Sequence, residues 1–298
     1  DPCEGEKCRR TNAGDAGYNM GDLNRSLVVS SDVYYYSMAA DIQRDLPEGE
    51  DEIIQEVSRE FGFGSETNIQ LPFARAGQVP DRELKQELFD AGVFEFGNWF
   101  VGDTINLAIG QGELLVTPLQ LANAYATLAT RGERQQPNIV AEVIERTEGE
   151  VVRELSERNL AEFDMATPAP DATWETLAGG LIGAVRSSQG TAVEAVAGVP
   201  LDNFVVAGKT GTAQRFGRNP VTQARLEDTA LFVGYAPAFD PQYVVVAVLE
   251  EAGFGGQAAA PVARQVLDAI VERELTGDIL TDEERAAIEA AEAAEEAS

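Results

Sequence analysis

The stretch Val205-Val206-Ala207-Gly208-Lys209-Thr210-Gly211-Thr212 decides how the rest of this 298-residue chain is read. Its apolar start has strand character and delivers a lysine, two threonines and a glycine in fixed order. On a strand, Thr210 and Thr212 point to the same side, because side chains alternate. Gly211 between them removes a side chain, so another backbone can lie against the strand edge. Lys209 adds a fixed positive charge facing a cleft. The ensemble suits a peptide that ends in a carboxylate. The bland alternative is an ordinary exposed strand with polar residues.

Strand-like runs at 204–207, 231–235 and 243–249 have short connections, which favour antiparallel neighbours. A last helix is expected over 261–275. Upstream, 174–185 is amphipathic, with Trp174, Leu177, Leu181, Ile182 and Val185 inward. Thr117-Pro118 opens a strong helix whose stripe is Leu121, Ala124, Tyr125 and Leu128, ended by Gly132. Between these helices, 139–145 and 151–155 flank the turn Thr147-Glu148-Gly149-Glu150 and read as a peripheral hairpin. Asp22 is a plausible N-cap for a short helix carrying Leu23, Leu27 and Val28, and 33–40 continue as a second helical segment. Residues 45–52 form an acidic loop, and 53–61 a helix that stops at Gly62. Residues 62–104 show only a helical turn near 82–89. Residues 1–20 read as a loop, and the Ala/Glu-rich 281–298 as a solvated tail.

Composition narrows the chemistry. The chain has no histidine, two cysteines and a formal charge of −29. A Ser-His-Asp triad, a Cys-His pair and imidazole metal ligands are therefore excluded. So acidic a chain repels a phosphate backbone, which argues against nucleic acid as a partner. Proton transfer has to use Lys, Ser, Tyr or carboxylates. The only lysines are Lys7, Lys85 and Lys209. Cys3 and Cys8 could close a small disulfide loop in an oxidising compartment or remain two thiols. No apolar run reaches the roughly 18 residues of a membrane span.

A second feature is Ser30-Ser31-Asp32, which alone reads as a turn or cap. With Lys209-Thr210-Gly211 it matches the later members of the S-x-x-K, S-x-N/D and K-T-G set. On these residues the chain resembles the transpeptidase domain of class B penicillin-binding proteins. Further runs carry the resemblance across about 20–272: Gly102-Asp103-Thr104, Ile109-Gly110-Gln111-Gly112, Thr117-Pro118-Leu119-Gln120-Leu121, Gly190-Thr191-Ala192, Ala213-Gln214, Phe232-Val233-Gly234-Tyr235-Ala236-Pro237 and Ala260-Pro261-Val262-Ala263. Asp32 in place of Asn, Tyr34-Tyr35-Tyr36 and Trp99 lean toward the penicillin-binding protein 2 branch of cell elongation, with the division-specific paralogue the nearest competitor.

The resemblance implies an α/β (α+β) fold of the serine β-lactamase/D,D-transpeptidase type, with an antiparallel sheet flanked by helices. The transpeptidase domain would occupy 1–275 and an acidic tail 276–298. No Ser in the chain has Lys three positions later. The nucleophile segment is expected before Asp1, so the fold is expected to be incomplete at its N-terminal side, unstable alone, and the fragment inactive. In the implied reaction a missing Ser attacks the penultimate D-Ala carbonyl of a peptidoglycan stem peptide, activated by a missing Lys, and an amine of a second stem peptide takes the acyl group. Ser30 would relay a proton, Lys209 would stabilise charge at Ser30 and the substrate carboxylate, and Asp32 would face the substrate amide. Thr210 and Thr212 hydroxyls would bind the carboxylate, beside Gly211, and the Thr212 N–H would form half of the oxyanion hole. No metal or cofactor is expected. The implied partners are stem peptides, β-lactam antibiotics and a membrane glycosyltransferase of the elongation complex. The implied location is the extracytoplasmic face of the membrane, with an N-terminal anchor. Two alternatives stand beside this reading: a non-catalytic stem-peptide-binding or scaffold module, and a β-lactamase or β-lactam sensor of the same fold.

Overall fold

The computed structural model describes residues 10–13, 16–18, 22–134, 136–140, 142–144, 151–154, 169–195, 204–215, 217, 218, 220 and 222–276. Cys3, Cys8, Lys7 and the tail 277–298 lie outside the described residues, as does the turn 145–150.

Helix α1 (Leu23–Val29) starts where Asp22 accepts the Arg25 N–H at 2.8 Å. Ser26, Val28 and Val29 are its buried side chains, while Leu23 and Leu27 are half-buried. Helix α2 (Asp32–Asp45) outruns the expected segment by more than a turn. The Arg44–Asp41 pair at 2.7 Å supports that turn, and Leu46, extended before Pro47, ends it. The acidic loop follows, then α3 (Ile53–Glu60), closed by left-handed Gly62. Asp81 caps α4 (Arg82–Asp90). Helix α5 (Val101–Leu107) was not expected, because Gly102 and β-branched Val101, Thr104 and Ile105 weaken its propensity. It is held instead by Asp103, which accepts the Phe100 N–H at 2.7 Å and pairs with Lys85.

In α6 (Pro118–Ala129), Thr117 and Gln120 cap each other reciprocally. Of the expected stripe Ala124 is buried, Tyr125 and Leu128 pack half-buried against the core and Leu121 is half-buried; the unexpected buried residues are the polar Gln120, Asn123 and Thr127. Gln120 is buried because its amide donates to the carbonyls of Ser65 (2.9 Å) and Ala76 (2.6 Å), tying the helix to the irregular segment below it. Strands β1 (Glu142–Ile144) and β2 (Val151–Glu154) form the expected antiparallel hairpin. Helix α7 (Asp171–Arg186) buries Trp174, Leu181 and Val185 as expected.

The central sheet is antiparallel, in the order β3 (Ala207–Ala213), β4 (Thr229–Ala236), β5 (Tyr243–Leu249). The first strand begins later than 204–207: Phe204 and Val206 are buried without ladder pairing, and Lys209–Thr212 is itself the strand. Its register sets Lys209 opposite Val233, Thr210 opposite Phe232 and Thr212 opposite Ala230. Helix α8 (Ala259–Thr276) covers one face, where Ala260, Ala263, Leu267 and Val271 pack with Phe232, Val245 and Ala247. The other face carries Ala207 and Tyr235 against Leu181 of α7, flanked by Tyr125 and Leu128 of α6. Helices thus flank the sheet on both faces, and among the described residues β3 is an edge strand.

Helix α1 lies on α7 through glycines. A Cβ on Gly180 would sit 2.7 Å from Leu27 Cδ1, 2.8 Å from Leu27 Cβ and 3.1 Å from the Asn24 carbonyl, and one on Gly183 2.5 Å from Val28 Cγ2. On Gly179 it would meet only the end of the Asn24 side chain, at 2.9 Å. Gly180→Ala is therefore expected to lose about 1–3 kcal/mol to overpacking, more than the ~1 kcal/mol that alanine gains over glycine in a helix. Gly179→Ala is expected to be neutral or stabilising. Urea denaturation of the two variants checks the contrast.

Candidate active site

Ser30 ends α1 and Ser31 begins α2, so two helices meet at one dipeptide. Ser30 is left-handed (φ 54°), held by its N–H to the Leu27 carbonyl at 3.3 Å. That conformation costs a non-glycine residue about 1–2 kcal/mol, and it turns the Ser30 side chain away from the helix that carries it. Ser31 is fully buried; its hydroxyl donates to Asn12 Oδ1 at 3.1 Å, and Val33 N–H donates to the same oxygen at 3.1 Å. Asp32 opens α2, where a carboxylate faces the positive helix end. Burial pushes its carboxyl up, opposed by the Lys209 charge and the Ala13 N–H. The cap reading of Ser30-Ser31-Asp32 is thus right for Ser31, and Ser30 and Asp32 remain turned toward Lys209.

Lys209 Nζ donates to Ser30 Oγ at 2.6 Å and to the Thr210 carbonyl at 3.0 Å. Its ammonium is deep, and burial lowers its pKa from 10.5 to about 8, with Asp32 opposing the shift. A lysine in this range exchanges its proton near neutral pH, which an exposed lysine does not.

The Thr210 carbonyl meets Lys209, and the Thr212 carbonyl accepts from Gln111 Nε2 at 2.9 Å. In an antiparallel pair, alternate residues turn both main-chain groups away from the partner. Residues 210 and 212 are those positions, so their N–H and C=O groups border the open edge of β3. Lys209 lies on the α7 face of the sheet, and the Thr210 and Thr212 side chains on the α8 face. They converge only because the strand is an edge. Thr210 Oγ1 shares a 2.8 Å hydrogen bond with Thr191 Oγ1. Thr212 Oγ1 accepts the Gly255 N–H at 3.3 Å, which leaves its own proton to donate. Gly255 presses so close that a Cβ there would strike the Gly211 and Leu231 carbonyls. A Cβ on Gly211 would touch Leu231 at 3.3 Å.

The structure therefore brings Ser30, Asp32, Lys209, Thr210, Gly211 and Thr212 together. Sequence reading missed Asn12, Gln111 and Gly255 as site neighbours, and quoted Thr191 without a role. Asn12 sits in a segment without periodicity and gave no signal, whereas Gly110-Gln111-Gly112 marked its own bend. Among the described residues no three His, Cys, Asp or Glu side chains cluster as a metal site requires, and no helix is long and apolar enough to cross a membrane.

A family model described as the penicillin binding protein transpeptidase domain matches residues 4–268. The chain belongs to that family. Peptidoglycan D,D-transpeptidase MrdA of Haemophilus influenzae is 35% identical over 259 residues, which cover 85% of this chain and 36% of that protein. PBP2 of Pseudomonas aeruginosa, solved in complex with WCK 5153, superposes with a TM-score of 0.65 at 28% identity, covering 86% of this chain and 49% of that one. A chain of a peptidoglycan synthase complex that coordinates polymerization and crosslinking superposes with a TM-score of 0.60 at 29% identity, covering 82% and 36%. The chain spans about a third of the length of the curated relative. Its similarity is to penicillin-binding proteins of the MrdA and PBP2 type, and its antiparallel sheet between helices is the fold of their transpeptidase domains.

Proposed function

We propose that this chain forms the substrate-edge half of a peptidoglycan D,D-transpeptidase, the target of β-lactams. The observation that carries the proposal is the 2.6 Å contact from Lys209 Nζ to Ser30 Oγ beside the open edge of β3. A stem peptide lies along that edge, with its terminal carboxylate at the Thr210 and Thr212 hydroxyls and near the Lys209 ammonium. The Thr212 N–H receives the oxyanion. A serine nucleophile from a Ser-x-x-Lys outside residues 1–298 attacks the penultimate D-Ala carbonyl, its hydroxyl proton passing to the lysine of that motif. The C–N bond breaks, and Ser30 passes a proton to the leaving D-Ala nitrogen, drawing on Lys209. An amine of a second stem peptide then displaces the serine oxygen, which regains its proton. Asp32 faces the substrate amide. A β-lactam follows the same route as far as the acyl-enzyme.

The same reading assigns 1–275 to the transpeptidase domain and 276–298 to a tail. It places the protein at the extracytoplasmic face of the membrane, on the elongation branch, beside a glycan-polymerising partner. The assembly of a relative within a peptidoglycan synthase complex supports that partner.

The test is labelling of the complete protein with a fluorescent penicillin across pH. A covalent adduct that survives denaturation is expected, and its second-order rate constant should fall above about pH 8 as Lys209 becomes neutral. The sign follows from the ammonium being the carboxylate-binding form, present below that pH. The open edge of β3 beside Lys209 also suits one second reading, a stem-peptide-binding module. Absence of any adduct at every pH would decide for it.

A further inference from the structure

We infer that the aromatic segment between α4 and α5 is a docking surface for a second protein, one that meets it with an apolar face edged by Lys or Arg. The inference goes beyond the proposed function and rests on residues that the reaction does not use.

The segment exposes one large apolar side chain after another. Val93, Phe96 and Phe100 are 63%, 57% and 51% exposed, and Phe89 and Val101 lie open at its two ends. Single exposed apolar side chains are normal on a monomer, but a run of them that meets in space marks an interaction site. These do meet. Lys85 Nζ lies 5.3 Å from the Phe100 ring centroid, 5.8 Å from that of Trp99 and 5.9 Å from that of Phe94. Phe96 meets Phe100 edge to face, with 6.3 Å between centroids.

The patch is also fixed in place. Lys85, between the three rings, pairs with Asp103 of α5. Trp99 Nε1 donates to Thr104 Oγ1 at 2.8 Å, and Thr104 donates in turn to Gln43 Oε1 of α2 at 2.5 Å. Val93 N–H returns to the Leu88 carbonyl at 2.8 Å. Gly97 packs on α4, where a Cβ would lie 2.7 Å from Gln86 Oε1. A surface held in this way has little freedom to lose on binding, the property of an anchoring cluster.

Charge decides what covers it. The nearby cations are engaged: Arg82 with Asp51 (2.5 Å) and Glu52 (2.8 Å), and Lys85 with Asp103. Glu83, Glu87 and Asp90 form an exposed stripe on α4, and exposed Glu95 stands between Phe94 and Phe96. None of these four pairs with a basic side chain among the described residues. A second copy would bring the same carboxylates and a charge of −29. The chain's own 277–298 carries eight Asp and Glu against one Arg. An anionic bilayer is repelled likewise. A protein whose apolar face has a basic edge is attracted on approach and neutralises the carboxylates on contact.

The test uses the complete protein and two synthetic helical peptides that share one leucine face, one flanked by lysines and one by glutamates. The lysine peptide is expected to bind with a micromolar Kd, and the double variant Val93→Ser, Phe96→Ser to weaken it about tenfold or more. The double variant Asp90→Lys, Glu95→Lys should transfer the preference to the glutamate peptide, although the chain stays strongly acidic. General attraction of a basic peptide to an acidic protein would not give that reversal. Both variants change exposed side chains alone, so both are expected to keep the wild-type melting temperature. Unaltered binding by the serine variant, or a preference that ignores the charge reversal, overturns the inference. So does self-association in sedimentation, or binding to phosphatidylcholine vesicles, that the serine variant abolishes; a second copy or a bilayer is then the occupant. Absence of lysine-peptide binding also overturns it, and shielding of Phe96 from hydroxyl-radical labelling would then name the chain itself as the cover.

Discussion

Lys209→Met in the complete protein is expected to lower the rate of acylation by a penicillin about a thousandfold, within the range seen when one preorganised stabilising group is removed. The fold should not suffer. Lys209 titrates near 8 when folded and at 10.5 when unfolded. Between those values the unfolded chain binds more protons, so stability rises with pH, and below about pH 8 the buried ammonium imposes its whole penalty. That penalty is on the order of 3 kcal/mol at neutral pH. Methionine fills a similar space without the charge, so the variant should match or exceed wild type in urea at pH 7 while losing acylation. Lys209→Arg should not rescue it, since a guanidinium keeps its proton and is too large for the same contact. A Lys209→Met variant that acylates normally would remove Lys209 from the chemistry.

Phe232→Ala is expected to cost about 3–5 kcal/mol, the range for deleting a fully buried aromatic ring. Phe232 is among the largest fully buried side chains and stands opposite Thr210. Its ring supports β3 from beneath, since a Cβ on Gly208 would lie 2.7 Å from Phe232 Cζ. The cavity therefore opens on the α8 face of the sheet, beneath Gly208 and beside Thr210, and stability and ligand affinity should fall together. Phe239, 80% exposed, is the control: Phe239→Ala should stay within about 0.5 kcal/mol. Denaturant midpoints of the two variants check the pair.

Much of this arrangement was legible in the sequence where local chemistry and tertiary role agree. Asp22 and Thr117 cap the helices they precede, Gly62 closes its own, and β5 has the bounds its apolar run predicts. Legibility failed where a residue acts at a distance. Gln120 reads as a surface residue on a helix, yet it is buried by carbonyls far upstream in the chain. Asn12 looks like loop, but holds the start of α2. Helix α5 has poor intrinsic propensity and relies on Asp103 and Lys85. In the site, the motif named the residues but not their sides: Lys209 and the two threonine hydroxyls occupy opposite faces of β3 and meet at its edge.

The glycine contact between α1 and α7 has a wider consequence. One flank of α7 bears the helix that ends in Ser30. Its C-terminal end runs directly into Gly190-Thr191, where Ala192 N–H returns to the Ala184 carbonyl at 2.9 Å and Thr191 meets Thr210. A single beam therefore gauges both the Ser30 hydroxyl and the Thr210 hydroxyl against the same strand. A tilt of that beam shifts the two stations together, so their spacing is kept even while the helix moves, and the reach of the site is ruled by one rigid part and not by the tolerance of several loops.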